Sequence, residues 1–122
     1  MNPAPLSITI VLDCGDPGRL AEFWSAALGY APGEPVEQFM VLRPRAAGDA
    51  RPHLILQRMP EPKSGKNRMH LDLHAADLDA EMARLVGIGA RKLQEAPNCL
   101  GTYCWYLMAD PEGNEFCLAP SG

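Results

Sequence analysis

Residues 68–77 read Arg-Met-His-Leu-Asp-Leu-His-Ala-Ala-Asp, and a weaker copy lies 61 residues upstream at 7–16, Ser-Ile-Thr-Ile-Val-Leu-Asp-Cys-Gly-Asp. Each copy has the pattern of a strand that ends in a short turn, followed by an Asp that can cap a helix. The offset is half of the 122-residue chain. The repeat therefore predicts two similar structural modules, with a binding cleft between them.

The two copies differ in the side chains that they place on the same predicted strand face. Thr9 of the first copy corresponds to His70 of the second, and Val11 corresponds to Asp72. Since strand side chains alternate with a period of two, His70, Asp72 and His74 share one face. Asp72 could orient either imidazole, which predicts a general acid/base pair active near neutral pH. For His74, hydrogen bonding to the backbone at the module edge is the favoured interpretation.

Composition and charge exclude several classes of function. The chain is 47% hydrophobic, enough for the core of one domain, and its formal net charge is −4. No basic patch is present, so nucleic acid is excluded as a partner. No apolar run approaches the roughly 18 residues of a membrane span, and residues 1–5 lack a signal-peptide pattern. We expect a cytoplasmic protein that does not bind membranes.

The four cysteines lie at positions 14, 99, 104 and 117 and include no Cys-x-x-Cys pair. Their surroundings are mostly apolar, and a free Cys behaves as a small buried hydrophobe. The sequence therefore favours reduced structural thiols in the cytoplasm over disulfides or a structural zinc site.

The pattern of predicted elements is similar in the two halves. Module one (1–59) has strands at 6–13, 38–43 and 53–58, and a helix that begins after Asp16 and ends at Gly29. Residues 60–67, rich in Pro and Gly, are the predicted linker. Module two (68–122) has strands at 68–74, 92–94, 103–108 and 115–119, and a helix after Asp77. Residues 110–114 form a predicted tight turn, in which Asp110 and Asn114 serve turn chemistry rather than catalysis.

These motifs, in this order, resemble the vicinal oxygen chelate superfamily, which includes glyoxalase I, bleomycin-resistance proteins and extradiol dioxygenases. The motifs are Asp16 with Phe23-Trp24, then Leu28-Gly29-Tyr30, then His70 seven residues before Asp77, and finally Asp110-Pro111-Glu112-Gly113-Asn114. Residues 68–74 and 114–117 are similar to the short glyoxalase-like domain group. The resemblance implies an α+β fold with two tandem βαβββ modules, whose eight strands form curved mixed sheets around a cleft.

The resemblance also implies where a metal would lie. Metal-dependent members hold a divalent ion with His and Glu from the first and last strands of each module. The corresponding positions here are Thr9, Gln57 (or a neighbour one residue away), His70 and Cys117. None is a carboxylate, which hard divalent ions prefer, and Glu115 is expected on the opposite face. No cofactor is therefore predicted, and a divalent metal with His70 as a ligand is the less favoured alternative.

Two functions of different class follow from these residues. The first is a metal-free protein that binds a small, partly aromatic molecule in the cleft. Its predicted ligand-binding residues are Thr9, Gln57, His70, Tyr103, Trp105 and Cys117. The second is a small lyase, isomerase or dioxygenase with His70 and Asp72 as catalytic residues, with or without metal. A dimerising module without a ligand is a third alternative. Because open sheets leave edge strands uncovered, and because of the resemblance, a homodimer is expected.

Overall fold

The structure, a computed structural model, describes residues 8–67 and 69–121. The chain divides between Pro62 and Lys63 into two compact units, a boundary that lies inside residues 60–67. Two predicted strands extend beyond the described residues, the first at residues 6 and 7 and the second at Arg68.

The first unit is a four-stranded mixed sheet with one helix. Its elements are β1 (Ile10–Cys14), α1 (Pro17–Leu28), β2 (Tyr30–Pro32), β3 (Phe39–Pro44) and β4 (Leu54–Arg58). The strand order is β1-β4-β3-β2, in which β1 and β4 are parallel and the other pairs are antiparallel. The last strand of this βαβββ module, β4, lies beside the first strand, β1, and the two run parallel. Parallel neighbours need a long connection, which α1, β2 and β3 provide.

The second unit repeats this arrangement. Its elements are β5 (Leu71–Ala75), α2 (Leu78–Gly87), β6 (Arg91–Lys92), β7 (Asn98–Leu100), β8 (Tyr103–Ala109) and β9 (Glu115–Pro120). The strand order is β5-β9-β8-β6. Strands β5 and β9, the first and last of this unit in sequence, are again parallel, and the other pairs are antiparallel. The short strand β7 lies off this path and forms a hairpin with β8. The predicted fold class, α+β with two tandem βαβββ modules, is confirmed, and β7 is an addition to the second module.

Both helices begin after their predicted Asp caps, but they bury different amounts of apolar surface. Helix α1 packs against β3 and β4, and buries Pro17, Leu20, Ala21, Phe23 and Trp24. Helix α1 ends at Leu28 and is capped by Gly29, whose φ of 70° suits a residue without a side chain. Helix α2 packs against β9, and only Leu85 of this helix is fully buried. Neither helix in the described residues is long and apolar enough to cross a membrane.

The predicted strands differ from the observed ones at their ends. Strand β5 begins at Leu71, so that His70 lies one residue before the strand rather than inside it. The strand predicted at 92–94 is Arg91–Lys92. Strands β2 and β7 were not predicted at all, because each has three residues and lies next to prolines, glycines or asparagine.

Candidate functional site

The pairing register of β5, β9 and β8 determines which side chains share one face of the second sheet. Asp72 on β5 stands opposite Cys117 on β9, and Cys117 stands opposite Leu107 on β8. Because the side-chain period is two, Tyr103 and Trp105 share the face of Leu107. A cavity of about 450 Å³ lies on this face. It is lined by Lys66, His70, Asp72, Asn98, Leu100, Tyr103, Trp105, Leu107, Cys117 and Ala119.

His70 and Asp72 form the exposed polar edge of the cavity. His70 Nε2 lies 3.2 Å from Asp72 Oδ1, and the two side chains are 38% and 51% exposed. A polar contact between two side chains this exposed contributes little to stability, about 0–1 kcal/mol. At this distance the carboxylate can orient the imidazole ring.

Cys117 forms the buried end of the same group, at 5% exposure. Burial raises the pKa of the Cys117 thiol. The Asp72 carboxylate raises this pKa further, by its negative charge and by accepting a hydrogen bond from the thiol, and Lys66 partly opposes these effects. In the structure as it stands, Cys117 is therefore a hydrogen-bond donor near neutral pH rather than a reactive thiolate.

The donor atoms of His70, Asp72 and Cys117 all lie within 4.8 Å of one another. None of the four positions that the resemblance implies for metal ligands is a carboxylate, and the structure agrees with this. Asp72, which is not one of these positions, nevertheless brings a carboxylate to His70 and Cys117. An imidazole, a carboxylate and a thiol suit zinc or cobalt, but the thiol makes the set a poor match for Mg²⁺ or Mn²⁺.

The aromatic wall of the cavity comes from the hairpin of β7 and β8. The rings of Tyr103 and Trp105 have centroids 5.9 Å apart and are tilted by 43°. Tyr103 is 43% exposed, whereas Trp105 is partly buried. An aromatic pair with open surface can stack on a planar ligand.

A disulfide joins the two strands of this hairpin. Cys99 and Cys104 stand opposite each other in the antiparallel register, with Cα atoms 4.1 Å apart. The prediction of reduced thiols is therefore wrong for these two cysteines, and it is confirmed for Cys14 and Cys117, which are buried and form no disulfide. The error follows from the missed strand β7, since only the hairpin brings residues 99 and 104 together.

Other polar residues that the sequence singled out have structural roles. His74 Nδ1 lies 3.0 Å from the carbonyl oxygen of Pro120, as the favoured interpretation predicted. Asp110 and Asn114 bind each other inside the turn, which confirms their structural assignment. Glu115 accepts hydrogen bonds from Lys63 and from the backbone of Asn67. The expectation that Glu115 points to the face opposite Cys117 is wrong, because residues two apart on a strand share a face.

Two predicted ligand-binding residues belong to the first unit. Thr9 is exposed and precedes β1, and Gln57 is partly buried on β4 opposite Asp13. Their expected place beside His70 stays a prediction. The other four, His70, Tyr103, Trp105 and Cys117, line the cavity of the second unit together with Asp72, the predicted catalytic partner of His70.

Sequence reasoning missed half of the residues that line the cavity. Leu107 and Ala119 follow Trp105 and Cys117 by two positions, so the strand period could have identified them. Asn98 and Leu100 come from the unpredicted strand β7. Lys66 lies in the predicted linker, where no periodic pattern indicates the direction of a side chain.

Comparison with solved structures places this chain among proteins of one fold. A hypothetical protein from S. aureus, SA1046, has a TM-score of 0.73 at 15% identity, over 98% of this chain and 96% of that one. The fosfomycin resistance protein FosX from Listeria monocytogenes has a TM-score of 0.72 at 15% identity, over 99% and 96%. A glyoxalase/bleomycin resistance protein from Albidiferax ferrireducens has a TM-score of 0.67 at 20% identity, over 93% and 97%.

No curated protein matches the chain at a significant level. The sequence model of the glyoxalase-like domain, by contrast, matches residues 9–119. This match spans both helices and all nine strands of the described residues except the last residue of β9. The chain therefore belongs to the glyoxalase-like domain family and has the vicinal oxygen chelate fold of the glyoxalase/bleomycin resistance/dioxygenase superfamily.

Proposed function

We propose that this protein binds a small, partly aromatic molecule in the cavity of its second unit. The observation that carries the proposal is the arrangement of the cavity, which joins an aromatic wall to a compact polar group. Its volume of about 450 Å³ falls within the range of small-molecule sites, roughly 300–1,000 Å³. Some solved structures of this fold are described as bleomycin or fosfomycin resistance proteins, and these descriptions support a small molecule as the ligand.

The aromatic part of the ligand would stack on Tyr103 and Trp105. Leu100 and Leu107 add apolar surface beside these rings. Leu100 is 77% exposed, and burying such a side chain under a ligand is favourable by about 25 cal/mol per Å² of apolar surface.

The polar part of the ligand would lie against His70, Asp72 and Asn98. These side chains offer hydrogen-bond donors and acceptors, and Lys66 adds a positive charge at the cavity wall. With one cation and one carboxylate, the cavity favours a ligand with neutral hydrogen-bonding groups over one with a large net charge. All these interactions involve protein groups, so binding of this kind needs no metal.

The His70–Asp72 contact favours a second candidate, a small lyase, isomerase or dioxygenase. A carboxylate 3.2 Å from an imidazole can hold the ring in one tautomer. His70, half-exposed at the cavity edge, could then move a proton to or from a bound molecule. Binding is the proposal that we favour, because it requires only the cavity and its lining.

A thermal-shift screen of small phenols, catechols and aromatic carboxylic acids tests the binding proposal. A compound present at about 100 times its Kd should stabilise the protein by about 2.7 kcal/mol. We expect the shift caused by such a compound to disappear in Tyr103→Ala and Trp105→Ala, which remove the stacking surface.

Tyr106→Ala provides the matched control for these variants. Tyr106 is on the same strand, but it lines a different cavity, of about 380 Å³, with Cys104 and Pro120. This variant should keep the ligand-induced shift. The proposal is wrong if no compound shifts the melting temperature, or if the shifts survive in both Tyr103→Ala and Trp105→Ala.

A further inference from the structure

Three side chains of the second unit bring three different kinds of metal ligand to one point. His70 and Asp72 lie two residues apart, and Asp72 is paired with Cys117 across the parallel strands β5 and β9. His70 Nε2 and Asp72 Oδ1 are 3.2 Å apart, and the Cys117 Sγ completes a group whose donor atoms all lie within 4.8 Å.

We propose that His70, Asp72 and Cys117 form a binding site for a borderline-soft divalent ion, Zn²⁺ or its spectroscopic substitute Co²⁺. The inference rests on the geometry of these three residues and does not require that the small-molecule proposal be correct. It departs from the arrangement that the family resemblance implies, because all three ligands come from one unit and the carboxylate is an Asp from the first strand.

The spacing of the donor atoms agrees with this ion. Zinc bonds of about 2.0–2.3 Å in a tetrahedral site place neighbouring ligand atoms about 3.3–3.6 Å apart. The His70–Asp72 distance is already close to this value, and the 4.8 Å limit on the set leaves about 1 Å to be closed by side-chain rotation. Backbone movement is not required, because the strand pairing of β5 and β9 already places Asp72 beside Cys117.

The chemistry of the donors determines which metals fit. A thiolate is a soft ligand that favours zinc, cobalt or copper, whereas Mg²⁺ and Ca²⁺ prefer oxygen-only sites. A thiolate and a carboxylate together carry two negative charges, which match one divalent cation. The positive charge of Lys66 at the cavity wall repels a divalent cation, so we expect weaker zinc affinity than in a site with no cation nearby.

The burial of the three ligands leaves one side of the site open. Cys117 is buried, whereas His70 and Asp72 are exposed toward the cavity. Three protein ligands with an accessible fourth position are typical of zinc sites that bind water or a ligand atom, rather than of closed structural sites. An ion here would polarise a group that enters the cavity.

The test measures metal binding by the full chain after treatment with a chelator. Isothermal titration with Zn²⁺ should show one site per chain, and Co²⁺ should give the near-ultraviolet charge-transfer band of a cobalt–thiolate bond. Loss of an outer-shell partner already costs about tenfold or more in metal affinity. We therefore expect at least a tenfold weaker affinity in His70→Ala, Asp72→Asn and Cys117→Ser, and no charge-transfer band in Cys117→Ser.

Matched controls come from similar residues outside the group. Cys14→Ala removes the other buried thiol that forms no disulfide, and His74→Ala removes the histidine that contacts the Pro120 carbonyl. Both should bind Zn²⁺ and Co²⁺ as the parent chain does. Circular dichroism and the melting temperature establish that each variant is folded. If Cys117→Ser does not fold, the affinities of Asp72→Asn and His70→Ala and the cobalt spectrum of the parent chain decide the question.

Three results would overturn the inference. They are the absence of a stoichiometric Zn²⁺ site, a cobalt spectrum without a thiolate band, and Mg²⁺ or Mn²⁺ binding more tightly than Zn²⁺. Tyr103→Ala and Trp105→Ala should keep the metal site while they lose stacking. Failure of the metal site and failure of the small-molecule proposal are therefore distinguishable.

Discussion

Asp16 and Asp77, 61 residues apart, make the same contact in the two units. Asp16 Oδ1 accepts a hydrogen bond from the backbone N–H of Arg19 at 3.1 Å, and Asp77 Oδ1 accepts one from that of Ala80 at 3.1 Å. Each carboxylate satisfies a backbone donor that has no partner within its helix. The sequence repeat is thus preserved in a specific hydrogen bond, in addition to the order of strands.

These caps give the first prediction. Asp16→Ala and Asp77→Ala should each lower the free energy of unfolding by about 1 kcal/mol, because each leaves a helix N–H unsatisfied. Urea denaturation followed by circular dichroism measures the change. Asp79→Ala is the control, since Asp79 lies in the first turn of α2 without being the cap, and should change stability by less than about 0.5 kcal/mol. Unchanged midpoints for both cap variants would contradict the prediction.

The turn before β9 gives the second prediction. Asp110 is fully buried and accepts hydrogen bonds from the backbone of Glu112 and Asn114 and from the Asn114 side chain. Asp110→Ala should destabilise the protein by about 2–3 kcal/mol, because several buried donors lose their acceptor. Pro111→Ala, at an exposed position of the same turn, should cost much less. Equal urea midpoints for the two variants would show that the buried carboxylate is not what stabilises the turn.

The third prediction concerns alkaline pH and the first unit. Burial raises the pKa of the Tyr30 phenol, an effect that Arg51 partly opposes, and the Tyr30 hydroxyl donates a hydrogen bond to the Pro52 carbonyl at 2.7 Å. A raised pKa in the folded state means that the stability from this group is fully present below about pH 10. This stability is lost as the pH rises through the folded-state pKa.

Tyr30→Phe removes this titration. Near neutral pH the variant should be about 1 kcal/mol less stable than the parent chain, because the hydrogen bond is lost. The difference should shrink as the pH is raised above about 10, since only the parent chain has the Tyr30 contribution to lose. Urea midpoints of both proteins across this pH range provide the measurement, and a constant difference would refute the assignment to Tyr30.

The fourth prediction concerns the disulfide between Cys99 and Cys104. A bridge that closes a loop of this length stabilises the folded chain by about 2 kcal/mol. Reductant should therefore lower the melting temperature of the parent chain and leave that of a Cys99→Ala/Cys104→Ala variant unchanged. Thiol titration of the unfolded, unreduced chain should find two free thiols, those of Cys14 and Cys117. Four free thiols would instead support the reduced state that the sequence predicted, and with it the expected cytoplasmic location.

The fifth prediction concerns assembly. We propose that the chain forms a homodimer, because each sheet ends in two edge strands, β1 and β2 in the first unit and β5 and β6 in the second. An edge strand has backbone N–H and C=O groups without strand partners, which proteins usually cover. Light scattering at micromolar concentration should give twice the chain mass of 13.3 kDa. A mass of one chain would argue against the dimer.

The fold was predictable from the sequence to the extent that it is local or repeated. The caps at Asp16 and Asp77, both helices and the longer strands follow from short-range pattern, and the 61-residue offset links them into two modules. Strands β2 and β7 were not predictable in this way. Each has three residues, and each exists because a longer strand, β3 or β8, offers it backbone partners.

The candidate site, like the fold, was predictable only where it depends on local pattern. The strand period places Asp72 next to His70, and Tyr103 next to Trp105, on one face. The pairing of Asp72 with Cys117 depends on the register of two strands that are far apart in sequence. The resemblance indicated Cys117 as a site position but did not indicate that it pairs with Asp72. The contact between the carboxylate and the thiol was therefore not predictable from local sequence pattern.

Four of the residues that line the cavity come from the hairpin of β7 and β8. The four-strand path that both units share does not include β7, yet this hairpin supplies Asn98, Leu100, Tyr103 and Trp105 to the cavity. Its two strands are held to each other by their own disulfide. Residues 98–105 include the first three residues of β8, whereas Asp72 and Cys117 lie on β5 and β9 and His70 lies just before β5. We therefore expect substitutions in this hairpin to change the lining of the cavity and to leave the His70–Asp72–Cys117 group in place.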